Sequence, residues 1–222
     1  MRVWLAPTGP SELSASDPSA ESALAGDWIL RGRALAPHHP STCLAAAFEL
    51  MRRGEEKRAL EEFDRAVVVG ASKGGVVDLL AGDLAKPDLA LPFTEGDLAL
   101  TKRLLGHVQK ADGLDELQDD LTQTYEELLI ATCARSSAQP GQLAQLASIR
   151  EERGEVEEAI NLYRRLLSVD PRSIQRYDYA RLLAAEGDTR TARRQLRDVI
   201  QFHPGHRAAN NLLAELEGGN NK

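Results

Sequence analysis

The strongest constraint on this chain is a segment that repeats itself. Gly154, Ala159 and Pro171 return 33 residues later as Gly187, Ala192 and Pro204. Ala147 returns as Ala180, and the apolar stripe Ala159, Tyr163, Leu166, Leu167 returns as Ala192, Leu196, Val199, Ile200. A period of this size belongs to a solenoid, in which each helical pair buries its apolar face only by stacking on the next. The spacing therefore predicts stacked helices and a binding scaffold, and says nothing of the partner.

Each recurring residue has a physical task. Ala147 and Ala180, following Leu146 and Tyr179, put a small residue after a larger one at the same place in each copy. Gly154 and Gly187 suit a turn in the left-handed conformation. Asp170-Pro171 and His203-Pro204 close each pair, because proline clashes with a continuing helix. In these residues the chain resembles the tetratricopeptide repeat, a helix–turn–helix unit of roughly 34 residues. The resemblance implies an all-α fold, a right-handed α-solenoid whose C-terminal repeats occupy residues 136–219. A last helix near His206–Leu216, with Leu213-Ala214 in the packing slots, would cap the stack.

Weaker copies precede it. Pro40–Val69 carries Ala46-Ala47, Gly54 and the stripe Ala59, Phe63, Ala66, Val67 in the same order. Trp28–Gly32 reads as a helix that Pro37 and Pro40 cut short. Thr94 and Asp97 imitate a capping box for a helix to Gln109. Gly113 would then turn into a long helix through Leu117, Leu121, Tyr125 and Leu129. Residues 21–135 are thus expected to be a degenerate repeat region with a loop insertion near 70–93. Residues 1–20, rich in Ser, Pro and Ala, are expected to be a flexible tail. Trp4 would either anchor a partner or fold back, and the sequence does not choose.

No run approaches the roughly 18 apolar residues of a membrane span. Val3-Trp4-Leu5-Ala6 is too short for a secretory signal core of about 7–15 residues. A cytoplasmic, bacterial-type protein is the expectation, with Cys43 and Cys133 as buried thiols rather than a disulfide. The net charge of −7 argues against nucleic acid as a partner. The charge is uneven: Asp112–Glu127 holds seven carboxylates and no Lys or Arg, while Arg190, Arg193, Arg194 and Arg197 crowd one later helix. Solvated faces explain both, and a docking surface for an acidic partner or a second copy is the alternative.

Catalytic candidates fail on spacing. Val67–Gly75 followed by Val76–Leu80 imitates a strand, a glycine loop and a helix, but it lacks Gly-Lys-Ser/Thr. Val67–Val69 also continue the helical stripe of Phe63 and Ala66. Histidines lack helical ligand spacing beside Cys or carboxylates, and no Gly-x-Ser-x-Gly elbow occurs. The expectation is no catalytic site, no metal and no cofactor.

The resemblance implies a concave groove lined by the first helix of each pair. Its candidate protein-binding residues are Ala144, Ser148, Tyr177, Arg181 and Asn211. Relatives that clamp a chaperone's terminal carboxylate use lysine and asparagine where Ala144 and Ser148 stand, so that activity is not implied. Three readings follow: an adaptor or assembly factor for another protein or peptide, a self-associating structural subunit, and a nucleotide-binding enzyme.

Overall fold

The computed structural model describes residues 18–135 and 137–218, and among them every regular element is helical. In chain order these are α1 (Pro18–Leu35), α2 (Pro40–Arg52), α3 (Glu56–Val68), α4 (Lys73–Asp78), α5 (Leu91–Thr94) and α6 (Leu98–Val108). They continue with α7 (Asp115–Cys133), α8 (Pro140–Glu152), α9 (Val156–Val169), α10 (Arg176–Ala185), α11 (Thr189–Phe202) and α12 (Arg207–Gly218). The chain divides into two compact units. One runs up to Glu95 and includes Ala99–Leu114; the other holds Gly96–Leu98 and the chain from Asp115 onward.

The second unit is an α-solenoid of stacked pairs. α7 lies on α8, α8 pairs with α9, α9 contacts α10, α10 pairs with α11, and α11 carries α12. α7, which the sequence groups with residues 21–135, therefore packs with the later repeats, and this unit begins before residue 136. Ala147, Ala159, Ala180 and Ala192 are all fully buried, as close helix crossings require. Tyr163, Leu166, Leu196 and Val199 fill the space between them.

The turns inside the pairs share one geometry. The Gly154 N–H donates to the Glu151 carbonyl and Glu155 N–H to Arg150, at 2.9 and 2.8 Å. Gly187 to Ala184 and Asp188 to Leu183 repeat this at 3.2 and 2.9 Å. Each glycine sits at positive φ, 75° and 89°, where a side chain would be strained. α8 opens with Pro140 at its first turn, and the Gln142 side chain accepts from the Gln139 N–H at 2.9 Å.

α12 departs from the expected slots. Ala209 is its buried small residue, while Leu213 is only partly covered and Ala214 is exposed. Among the described residues no second helix follows α12, so nothing crosses over Ala214.

In the first unit α2 and α3 pair as expected, with Ala46, Ala47, Ala59, Phe63 and Ala66 fully buried. Cys43 here, and Cys133 in the second unit, are free and buried. α1 begins at Pro18, inside the stretch expected to be a tail; Trp4 and the rest of residues 1–17 lie outside the described chain. α1 packs on α2, but not through Trp28, which is 68% exposed with the Arg31 guanidinium over its ring. Ion pairs seat it instead: Arg33 with Glu62, and Asp27 with Arg53 at 3.0 Å.

The expected loop at 70–93 is a run of short helices. α4 passes into a π turn at Leu79–Asp83, and a 3₁₀ turn at Pro87–Ala90 leads into α5. Val76, Val77, Leu80, Ala90 and Phe93 are buried. Ser72 caps α4 by accepting from Gly75 N–H at 3.4 Å. Thr94 does not open the next helix: it ends α5, and its hydroxyl donates to the Leu91 carbonyl at 2.8 Å. Asp78 then ties α4 to α6 by accepting from Arg103 through both oxygens and contacting His107 Nε2 at 3.0 Å.

Candidate functional site

On α8 positions 144, 145, 148, 151 and 152 recur at helical spacing, so they fall on one face. Gln175 at the N-cap of α10, with Asp178 and Arg181 on the helix, does the same. These two faces meet across a cleft of about 460 Å³ lined by Ala144, Gln145, Ser148, Glu151, Glu152, Gln175, Asp178 and Arg181, with Tyr163 of α9 as its buried wall. Three of the five groove residues expected from sequence, Ala144, Ser148 and Arg181, thus come together.

The other two do not join them. Tyr177 is partly buried with Ile200, Leu212 and Leu216, and its ring lies 4.8 Å from that of His206. Asn211 is exposed on α12, away from this cleft. One turn of helix separates Tyr177 from Arg181, but the α12 packing draws the tyrosine ring toward itself.

Arg181 donates through Nη2 to Glu151 on α8. That bond, above all, keeps the guanidinium charged against partial burial. Glu152 accepts a long bond from Ser148 at 3.4 Å. Asp178 has no hydrogen bond among the described residues, and burial pushes its carboxyl above the usual aspartate range, with Arg181 pulling the other way. Burial raises the Tyr163 phenol strongly, and the nearby charges of Asp178 and Glu151 add to that.

Gln145 is held in place from behind: the Tyr125 hydroxyl donates to its Oε1 at 2.6 Å. Glu151, Glu152 and Gln145 were legible in principle by extending the Ala144–Ser148 face at helical period. Tyr163 and Asp178 were not, because each reads as an ordinary stripe or surface position. Among the described residues no group of His, Cys, Asp or Glu is placed to hold a metal ion. Nor, among them, is any helix long and apolar enough to cross a membrane.

A second cleft, of about 430 Å³, lies along α7 and is lined by Asp119, Thr122, Gln123, Glu126, Glu127, Ile130 and Arg153. Arg153 binds Glu126 with both terminal nitrogens, and Glu127 accepts from Gln123 Nε2 at 3.0 Å.

Residues 145–173 match the family model of the tetratricopeptide repeat. No curated protein matches the chain. Among solved structures, the C-terminal part of a TPR repeat-containing protein from Cytophaga hutchinsonii is 16% identical over 92% of this chain and 86% of that one, with a TM-score of 0.51. YrrB, described as a TPR protein with an unusual peptide-binding site, is 16% identical over 83% of this chain and 96% of its own, at 0.49. The matched repeat spans most of α8 and α9, and the Cytophaga likeness is one of fold.

Proposed function

We propose, from the premise that this chain carries tetratricopeptide repeats, that it is a non-enzymatic adaptor or assembly factor. It would hold a peptide segment of another protein in the cleft between α8 and α10. The observation that carries this reading is the convergence of Ala144, Ser148 and Arg181 on one cleft. Small residues at two of those positions leave the space open, and function on a repeat scaffold resides in such lining residues rather than in the fold. The buried, unpaired thiols of Cys43 and Cys133 favour a cytoplasmic setting.

The test is to fill the cleft from an exposed position of its wall. Ser148→Trp, at an exposed lining residue, is expected to lose the proteins captured by the wild-type chain from its own cell extract, with stability changed by no more than about 0.5 kcal/mol. Retention of the same proteins would overturn the reading.

A second reading, self-association between the α7 carboxylates and the α11 arginines, draws on one observation. Arg190, Arg193 and Arg194 make no ion pair among the described residues, whereas Arg197 is matched by Glu217 at 2.7 Å. A monomeric mass at high concentration, indifferent to salt, removes it.

A further inference from the structure

We propose that the α8–α10 cleft is a receptor for a cationic side chain, the arginine or lysine of a bound peptide segment. This rests on the groove-binding reading above and adds the chemistry of the residue that enters.

The first support is an imbalance of charge. Glu151, Glu152 and Asp178 face one guanidinium, that of Arg181. Arg181 is engaged by Glu151; it acts on Asp178 only at a distance, and neither Asp178 nor Glu152 has a direct ion pair among the described residues. Asp178 has no hydrogen bond there either, and burial works against its charge. Glu152 is exposed and Asp178 half-buried, so both are open to the cleft, and an arriving cation would offset the charge that partial burial penalises at Asp178.

The second support is independent of the acids. Tyr163 is only 3% exposed, yet its hydroxyl lines the cleft and has no hydrogen-bond partner among the described residues. Its oxygen keeps some contact with solvent, since among the described residues only Arg176 Nε and Arg193 Nε are fully buried without a partner, whereas the Tyr125 hydroxyl in the same core is bonded to Gln145. A phenol can accept one N–H while giving its own proton to a carboxylate. Tyr163 therefore stands ready to join a donor group to Asp178.

The shape agrees with this chemistry. Ala144 and Ser148 present little bulk at the wall of a 460 Å³ cleft, room for a long side chain and its flanking backbone. The carboxylates are not clustered as metal ligands among the described residues, so they fit a spread organic cation better than an ion. A guanidinium fork, able to bond several acceptors at once, matches best.

Random peptides about a dozen residues long, displayed on phage and selected on the full chain, test the idea. Enriched sequences are expected to share an arginine or lysine. Its replacement by citrulline or norleucine in the resynthesised peptide should weaken binding roughly tenfold or more, as should Asp178→Asn with Glu152→Gln in the protein. Tyr163→Phe should weaken binding several-fold without unfolding the chain. Peptides that bind with no basic residue, indifferent to Asp178→Asn and Tyr163→Phe, overturn this inference and leave the groove reading standing. Enrichment of no peptide above the blank support overturns both.

Discussion

Arg181 of α10 donates to Glu151 of α8, so one repeat is tied to its neighbour across the open face of the cleft. The residue that the sequence offers as an anchor for a partner thus spends its charge within the fold. Its neighbours, Asp178 and Glu152, keep theirs.

Removing that tie should have opposite effects on stability and binding. Arg181 and Glu151 retain 43% and 21% side-chain exposure, so Arg181→Ala should cost less than about 1 kcal/mol. It also frees Glu151 and deepens the negative field. Titration of a basic peptide is expected to show tighter binding to Arg181→Ala than to wild type; tighter binding of an acidic peptide would contradict the cleft's polarity.

Burial rather than sequence slot should decide how alanines tolerate growth. Ala180 is fully buried between α10 and its neighbours, and Ala180→Leu should destabilise the second unit by about 1–3 kcal/mol through overpacking. Ala214 is exposed, and Ala214→Leu should stay within about 0.5 kcal/mol. Urea melts of the two variants make the comparison, and equal losses would refute the assignment of the crossings.

Asp178 predicts a pH dependence of definite sign. Its carboxyl is raised in the folded chain, so the folded state holds the proton longer than the unfolded state does. Stability from this group is complete below the ordinary aspartate pKa and falls as pH rises through the folded value. Asp178→Asn should therefore melt higher than wild type at neutral pH, and the gap should close in acid. A gap that widens in acid would reverse the argument.

Glu49 predicts the opposite trend in the first unit. Its carboxylate, 5% exposed, accepts from Arg53 Nε at 2.7 Å and Arg52 Nε at 3.2 Å. The Arg53 bond chiefly holds it below the usual glutamate range, so its stabilisation exists above the ordinary pKa and is lost as pH falls through the folded one. Glu49→Gln should cost about 1–3 kcal/mol at neutral pH and less in acid. Gly26→Ala, whose Cβ would run into the Glu49 carboxylate, should loosen α1 despite alanine's better helix propensity. Urea denaturation at several pH values, followed by circular dichroism, reads both.

Much of the architecture was legible because its signals are local. The 33-residue echo names the crossing alanines, the turn glycines and the stripe residues, and all of these lie where helix period and left-handed φ require. The helices at 70–93 were not legible. Gly74 and Gly75 are poor helix formers, and it is the burial of Val76, Val77 and Leu80 that holds the segment.

The site divides along the same line. The tetratricopeptide resemblance offered Ala144, Ser148 and Arg181 as groove residues, and helical spacing agrees for Ala144 and Ser148, since side-chain direction along a helix follows from its 3.6-residue turn. Which of those residues would be engaged, and which left open, depended on contacts some 30 positions apart. Only the stacking of α8, α9 and α10 could bring a core tyrosine to the cleft with Asp178 and bind Arg181 to Glu151, and only the packing of α12 could draw Tyr177 away to His206. Pattern sets which way each side chain points, and tertiary packing sets what it meets there.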